Sequence, residues 1–225
     1  MAVTPVTTRA PRARSTGEGR PKSTTMSFER IVDTARAMVK AGGADSLSMR
    51  KLSAELGVAP TAIYWHVGDR AELLNAVLDA ELADLPKVRA VGTTPHARLR
   101  SVARAIRRQV QQAPHVQALA LTLDRSAAVS FPGQVALARE ITAAGLRGDD
   151  AAHAVRAILF LVGGFAMLEG NFRKRPAGVR TTQELWTEID ADDIDPALLV
   201  AMARPTDTDV LFTYALDHLI DAILN

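Results

Sequence analysis

The sequence predicts an all-α fold in which a small domain of short helices precedes a larger helical domain. Three observations predict it. The 225 residues are 48% apolar but only 4% aromatic, so the core must be built from Ala, Leu, Val and Ile, a mix that favours helix. Apolar residues recur at helical spacing through most segments, and no stretch sustains the period-two alternation of a half-buried strand. No internal repeat of fixed period is visible.

The elements follow in order. Residues 1–25 carry Arg9, Arg12, Arg14, Arg20 and Lys22 against Glu18, with hardly an apolar anchor, and are expected to form a disordered basic arm. The first helix is expected over 27–41, where Phe28, Ile31, Val32, Ala35, Met38 and Val39 share a face and Gly42-Gly43 ends it. A short helix follows over 49–56, with Ser48 as its N-cap and Gly57 as its stop. Pro60 suits the first turn of a third helix, 60–66, because its missing N–H would be unpaired there anyway. Asp69-x-x-Glu72 reads as an Asp-led capping box, opening a fourth helix that Pro86 closes. Further helices are expected at 95–112, 115–124, 131–144, 149–172, 195–203 and 207–224, with breaks at Pro114, Pro132, Gly145, Gly148, a basic loop over 173–181 and Pro205. Three regions result: the arm 1–25, a three-helix helix-turn-helix domain over 26–72, and a helical domain for effector binding and dimerisation over 73–225.

Composition narrows the function. Cysteine is absent, which removes disulfides, cysteine-based zinc sites and thiol catalysis and points to a reducing, cytoplasmic compartment. The longest uncharged apolar run, Ala157–Leu168, is 12 residues and too short to span a bilayer, and the N-terminus lacks a secretory apolar stretch, so no membrane partner is expected. None of the common nucleotide-binding, serine-hydrolase or zinc-protease motifs is present, so no enzyme is expected. Residues 1–75 hold 11 Lys and Arg against 7 Asp and Glu, whereas the remainder holds 16 against 18. A polyanion would therefore be met by the front of the chain.

The stretch SMRKLSAELGVAPTAIYWHV places two short helices around a tight turn, which fits a helix-turn-helix whose second helix enters the major groove. Leu47, Leu52, Leu56, Val58 and Ile63 can lock the unit onto the first helix. This leaves Thr61, Ala62, Tyr64, Trp65 and His66 to offer hydroxyl, imidazole and small apolar surfaces to base edges and phosphates. Trp65 has a second possible place, packed under the fourth helix. Arg50 and Lys51 open the preceding helix, where an arginine could reach a guanine, and Arg70, at the head of the fourth, could reach a phosphate.

The longer run LSMRKLSAELGVAPTAIYWHVGDRAELLNAVLD resembles the DNA-binding domain of the TetR family of repressors, and most nearly its tetracycline-repressor branch, over roughly residues 27–75. The resemblance implies base contacts from Arg50, Thr61, Ala62 and Tyr64, and backbone contacts from Ser48, Trp65, His66 and Arg70. Pro60 stands one residue earlier relative to Tyr64-Trp65-His66-Val67 than in that branch, and Ala59 replaces a polar residue, so a different operator is implied.

Helices 149–172 and 207–224 are apolar on a wide face, as suits deep burial or a subunit interface. In the resembling family they form a four-helix dimer interface, which implies Ala157, Leu161, Phe165, Leu168, Leu211, Tyr214, Ala215, His218 and Leu219 here. Gly163-Gly164 would either allow close helix approach or kink the helix. A largely apolar pocket is expected among helices 95–172, with candidates His115, Gln117, Thr122, Asp124 and Gln134, followed by His153, Arg156, Phe160, Met167, Glu169 and Asn171. The histidines show no metal-ligand spacing, so neither metal nor cofactor is expected. The combined reading is a ligand-responsive transcriptional repressor. It would bind a palindromic operator at the nucleoid as a homodimer and be released by a small, largely apolar effector. The alternative is a small-molecule sequestering or protein-interaction module with a vestigial DNA-binding head.

Overall fold

The computed structural model describes residues 26–173, 178 and 180–225, and the expected basic arm at 1–25 lies outside the described residues. Among the described residues there are eleven α-helices and no strand.

The first four helices form the head: α1 (Phe28–Gly42), α2 (Met49–Leu56), α3 (Pro60–Val67) and α4 (Arg70–Asp84). Each start has a local cause. Ser27 accepts the Arg30 N–H and Ser48 accepts the Lys51 N–H, while Asp69 and Glu72 form a reciprocal capping box. Gly57, at φ 68°, ends α2 in the left-handed region and turns the chain toward α3. The amphipathic faces then close on one another. Ile31, Ala35 and Val39 of α1 bury with Leu47, Leu52 and Ile63, and with Leu73, Leu74, Val77 and Leu78 of α4.

The rest comprises α5 (Pro95–Gln112), α6 (Pro114–Thr122), α7 (Ser126–Ala143), α8 (Gly148–Arg173), α9 (Thr182–Glu188), α10 (Pro196–Met202) and α11 (Thr208–Leu224). Its core joins Leu99, Val102 and Ala103 to Leu137 and Ile141 of α7, Ile158 and Val162 of α8, and Phe212, Leu216 and Ile220 of α11. Along the antiparallel α5–α11 pair, polar contacts are spaced one helical turn apart. These are His96–Asp221 at 3.2 Å, Arg100–Asp217 at 2.6 Å, Arg104–Thr213 at 3.0 Å and Arg107–Asp209 at 2.7 Å. Partly exposed pairs each contribute about 0–1 kcal/mol, so this ladder sets register more than it supplies stability.

The structure departs from the sequence reading in four places. A boundary at residue 72 would cut α4, whose apolar face belongs to the head. The head's core also takes in Val116, Leu119 and Ala120 of α6. Pro132 does not begin a helix but lies inside α7. Its ring is exposed, and beside it Gly133 lies against Ile106 so tightly that an added Cβ would stand 2.9 Å from the Ile106 Cδ1. Helix α9 was not expected, although its capping box, Thr181 with Glu184, is a readable start signal. Finally, the uncharged run is short but the helix around it is not. Residues Gly148–Gly170 of α8 are long and apolar enough to cross a membrane by length and composition alone, and only 17% of that apolar window is buried.

Candidate nucleic-acid interface and ligand cavity

Helix α3 is held by its buried side, Ile63 and Val67, and presents Thr61, Tyr64, Trp65 and His66 outward. Trp65 is 90% exposed and Tyr64 49%, so Trp65 is not packed beneath α4. An exposed Trp beside an exposed Tyr on an eight-residue helix is an uncompensated apolar cost within this chain. Ala62 is half-buried, and Arg50 and Lys51 are exposed on α2 with no ion pair among the described residues. Two of the expected phosphate contacts are already engaged internally. The Ser48 hydroxyl caps α2, and the Arg70 guanidinium donates from Nε to the Leu47 carbonyl at 2.9 Å and from Nη2 to the Ala44 carbonyl at 2.7 Å. Arg70 thereby ties the head of α4 to the segment that leads into α2.

A cavity of about 490 Å³ lies among α5, α6, α7 and α8. Ile106, Val110, Val129, Leu159, Val162 and Ala166 form most of its wall, and Gln109, Gln111, Gln117, Ser130, Gln134 and Glu169 are its polar groups. Of the expected ligand residues, Gln117, Gln134, Met167 and Glu169 line this space. The others lie elsewhere. His115 faces Glu81 of α4 at 3.2 Å, Thr122 hydrogen-bonds the Ala118 carbonyl, and Asp124 is exposed at a positive φ of 54° after α6. His153 and Phe160 are exposed on α8, Arg156 borders a smaller groove of about 310 Å³ between α7 and α8, and the Asn171 side chain lies outside the described ones. Sequence reasoning missed Gln109, Gln111 and Ser130. No local signal in the sequence separates them from solvated polar residues.

One end of the cavity carries a buried ion pair. The Arg107 and Glu169 side chains are 8% and 7% exposed. Arg107 Nη2 donates to Glu169 Oε1, Arg107 Nη1 meets Asp209 at 2.7 Å, and the guanidinium lies over the Phe212 ring, 4.4 Å from its centroid. Burial pushes the Glu169 carboxyl up, but hydrogen bonds from Arg107, Gln111 and Thr208, with the Arg107 charge, outweigh it and hold the group below the usual carboxylate range.

The cavity reaches the head through α6. Pro114 and Gln117 line it, while Val116, Leu119 and Ala120 on the other side of α6 sit in the head's core. Polar contacts reinforce the joint. His115 meets Glu81, Glu81 pairs with Arg36 of α1 at 2.9 Å, and Arg125 reaches Asn75 at 3.0 Å and Asp79 at 2.8 Å.

The expected dimer residues divide. Ala157, Leu161, Phe165, Ala215 and Leu219 are half-buried, with Phe165 edge-on to Phe212 at 5.2 Å. Leu168, Leu211, Tyr214 and His218 are exposed. With them are exposed Phe160 at 81%, Met167 at 66% and Val210. Among the described residues, no atom beyond the helix's own neighbouring backbone lies within 4 Å of where a Cβ on Gly163 or Gly164 would stand. Among the described residues no group of three His, Asp or Glu side chains gathers as a metal site.

Residues 31–77 match the family model of bacterial regulatory proteins, tetR family. The chain is 38% identical over 55 residues to the HTH-type transcriptional repressor DrrR1 of Streptomyces coeruleorubidus, covering 24% of this chain and 20% of that protein. It is 37% identical over 54 residues to the class A tetracycline repressor from transposon 1721 of Escherichia coli, covering 24% of this chain and 25% of that repressor. The sequence matches thus span a quarter or less of those relatives. The fold match is broader. The transcriptional regulator SCO7222, a TetR from Streptomyces coelicolor, superposes with a TM-score of 0.67 at 26% identity, over 88% of this chain and 98% of its own. ActR of the same organism, solved in complex with actinorhodin, superposes at 0.58 and 24% identity, over 89% and 98%.

Proposed function

We propose, from the match of residues 31–77 to the tetR-family model, that the protein is a ligand-responsive transcriptional repressor. It holds a palindromic operator as a homodimer and releases it when an effector fills the 490 Å³ cavity. The observation that carries this reading is helix α6. One of its faces lines the cavity and the other is part of the core that supports the reading helix. An effector that displaces α6 moves α4, and α4 carries α3 through their shared apolar contacts. Two heads that must sit in successive major grooves tolerate little change of spacing. A coupling of about 3 kcal/mol, roughly 150-fold in affinity, is enough to empty most operators.

Dimerisation supplies what one chain leaves bare. Phe160, Gly164, Met167 and Leu168 form one stripe of α8, and Val210, Leu211, Tyr214 and His218 one stripe of α11, all exposed. A second copy packed on these stripes accounts for the apolar length of α8 without a bilayer. It also gives Gly164 a purpose, since in this chain alone an alanine there would meet nothing. Gly164→Ala is therefore expected to improve local helix propensity by about 1 kcal/mol yet weaken the dimer by about 5- to 100-fold through overpacking. Sedimentation equilibrium checks it, and an unchanged or tighter dimer would place the interface elsewhere.

The function is tested by mobility shift with tiled duplexes from upstream of the protein's own gene, over a salt series. One palindrome held about a thousandfold or more above non-specific DNA is the expected result. Only weak, sequence-blind and salt-steep binding would remove it.

A further inference from the structure

Arg70 opens α4, and the Asp69–Glu72 capping box, with both of its bonds at 2.9 Å, fixes the backbone on either side of it. Its side chain runs back across the head. Nε donates to the Leu47 carbonyl at 2.9 Å and Nη2 to the Ala44 carbonyl at 2.7 Å, 23 and 26 residues earlier in the chain. Ala44 begins, and Leu47 follows, the short 3-10 turn that leads into α2. Because α2 starts two residues after Leu47 and α3 ends three residues before Arg70, the guanidinium joins the entry of the α2–α3 unit to its exit. Two donors of one rigid, planar group on two carbonyls of one turn set an orientation as well as a distance. The apolar core holds this entry only lightly: of residues 44–47, Leu47 alone is buried in it, with Ala44 packed at its edge.

We infer that Arg70 is a positioning residue for DNA recognition. It closes the α2–α3 unit into a ring, holds both helices at one angle to α4, and does so without touching phosphate. The inference rests on the reading of the head as an operator-binding domain. A clasp and a phosphate contact have different signatures. A cation on phosphate strengthens binding to any sequence and steepens its salt dependence. A clasp acts only where α3 must meet base edges in register. It therefore raises affinity for the operator and leaves affinity for other DNA alone. It also makes α2 and α3 follow α4 as one body.

The test compares the full chain with its Arg70→Lys and Arg70→Met variants by fluorescence anisotropy over a salt series. The probes are the operator found by mobility shift and a scrambled duplex of the same length and composition. Arg70→Lys keeps the charge but replaces the fork with a single point donor. It is expected to lose about 3- to 30-fold in operator affinity, with its salt slope and its affinity for the scrambled duplex unchanged. Arg70→Met is expected to lose at least as much on the operator. The inference is overturned if the Lys variant binds both duplexes like the parent while the Met variant weakens on both and its salt slope falls by about 1.8, two contacts at about 0.9 each in a dimer. Parallel losses on both duplexes overturn it as well, because a smaller folded fraction lowers every affinity alike. Amide hydrogen exchange gives a readout without DNA. Residues 46–56 should exchange faster in both variants while those of α1 keep their rates, and unchanged exchange over 46–56 removes the clasp. A parent protein with no preferred duplex removes the reading of the head, and the inference with it. A parent that holds an operator which both variants hold equally well removes the clasp alone.

Discussion

Tyr64→Ala is expected to lower operator affinity by roughly 30-fold to more than a thousandfold while leaving the folded domain almost as stable as before. The first half follows from position. Tyr64 stands outward on α3 and has no packing role that a neighbour could take over, and a base or sugar contact of this kind is worth about 1–3 kcal/mol. A two-fold dimer makes the contact twice. The second half follows from burial, because Tyr64 is 49% exposed and sits beside, not within, the cluster of Ile31, Leu52 and Ile63. Mobility shift and thermal unfolding of the same preparation check both halves. Undiminished operator affinity would favour the sequestering or interaction module with a vestigial head. Lost affinity accompanied by a large fall in unfolding temperature would make Tyr64 structural.

The largest stability effect belongs to the Arg107–Glu169 pair. Arg107→Leu alone is expected to cost about 3–5 kcal/mol, because it leaves the buried Glu169 carboxylate without its counter-charge, and Glu169→Leu is expected to cost less, because Asp209 still meets Arg107. The double substitution should recover most of the loss, since a well-packed apolar pair in place of a buried ion pair is often neutral. Urea unfolding at one fixed protomer concentration measures all four proteins. Single variants as stable as the parent would mean that water reaches the pair. The same pair sets a pH dependence. The folded-state value of Glu169 lies below the ordinary carboxylate range, so the unfolded chain binds the extra proton first. The stabilisation is fully present above the unfolded value of about 4.3 and drains away as pH falls through the folded value. The Glu169→Leu/Arg107→Leu protein should lack that part of the acid transition.

The head was legible because its signals are local. Ser48, Gly57, Pro60 and the Asp69–Glu72 box mark helix ends within a few residues, and the alternation of Leu52, Leu56 and Ile63 with polar positions assigns the buried face. The cavity was not legible in the same way. Gln109 and Gln111 look like any solvated pair on an Arg-rich helix, and only the approach of α8, 58 residues later, turns Gln111 toward Glu169. His115 stands among the residues expected in the pocket. One turn of helix α6 instead directs it to Glu81 in the head. Arg70 was expected to meet phosphate, and carbonyls of the preceding loop, 23 and 26 residues back, hold it. Such assignments depend on which element arrives from a distance, and periodicity carries no information about that.

The exposure of Trp65 has an optical consequence. The chain has two tryptophans, Trp65 and Trp186, and the first projects from α3 into solvent while the second is half-buried on α9. An indole in water emits at long wavelength, and one pressed against a sugar–phosphate backbone is stripped of that water. If Trp65 meets the operator as proposed, intrinsic emission of the unlabelled protein divides into a component from α3 that follows docking and one from α9 that serves as its reference. Operator occupancy would then be read continuously during effector addition, without a label.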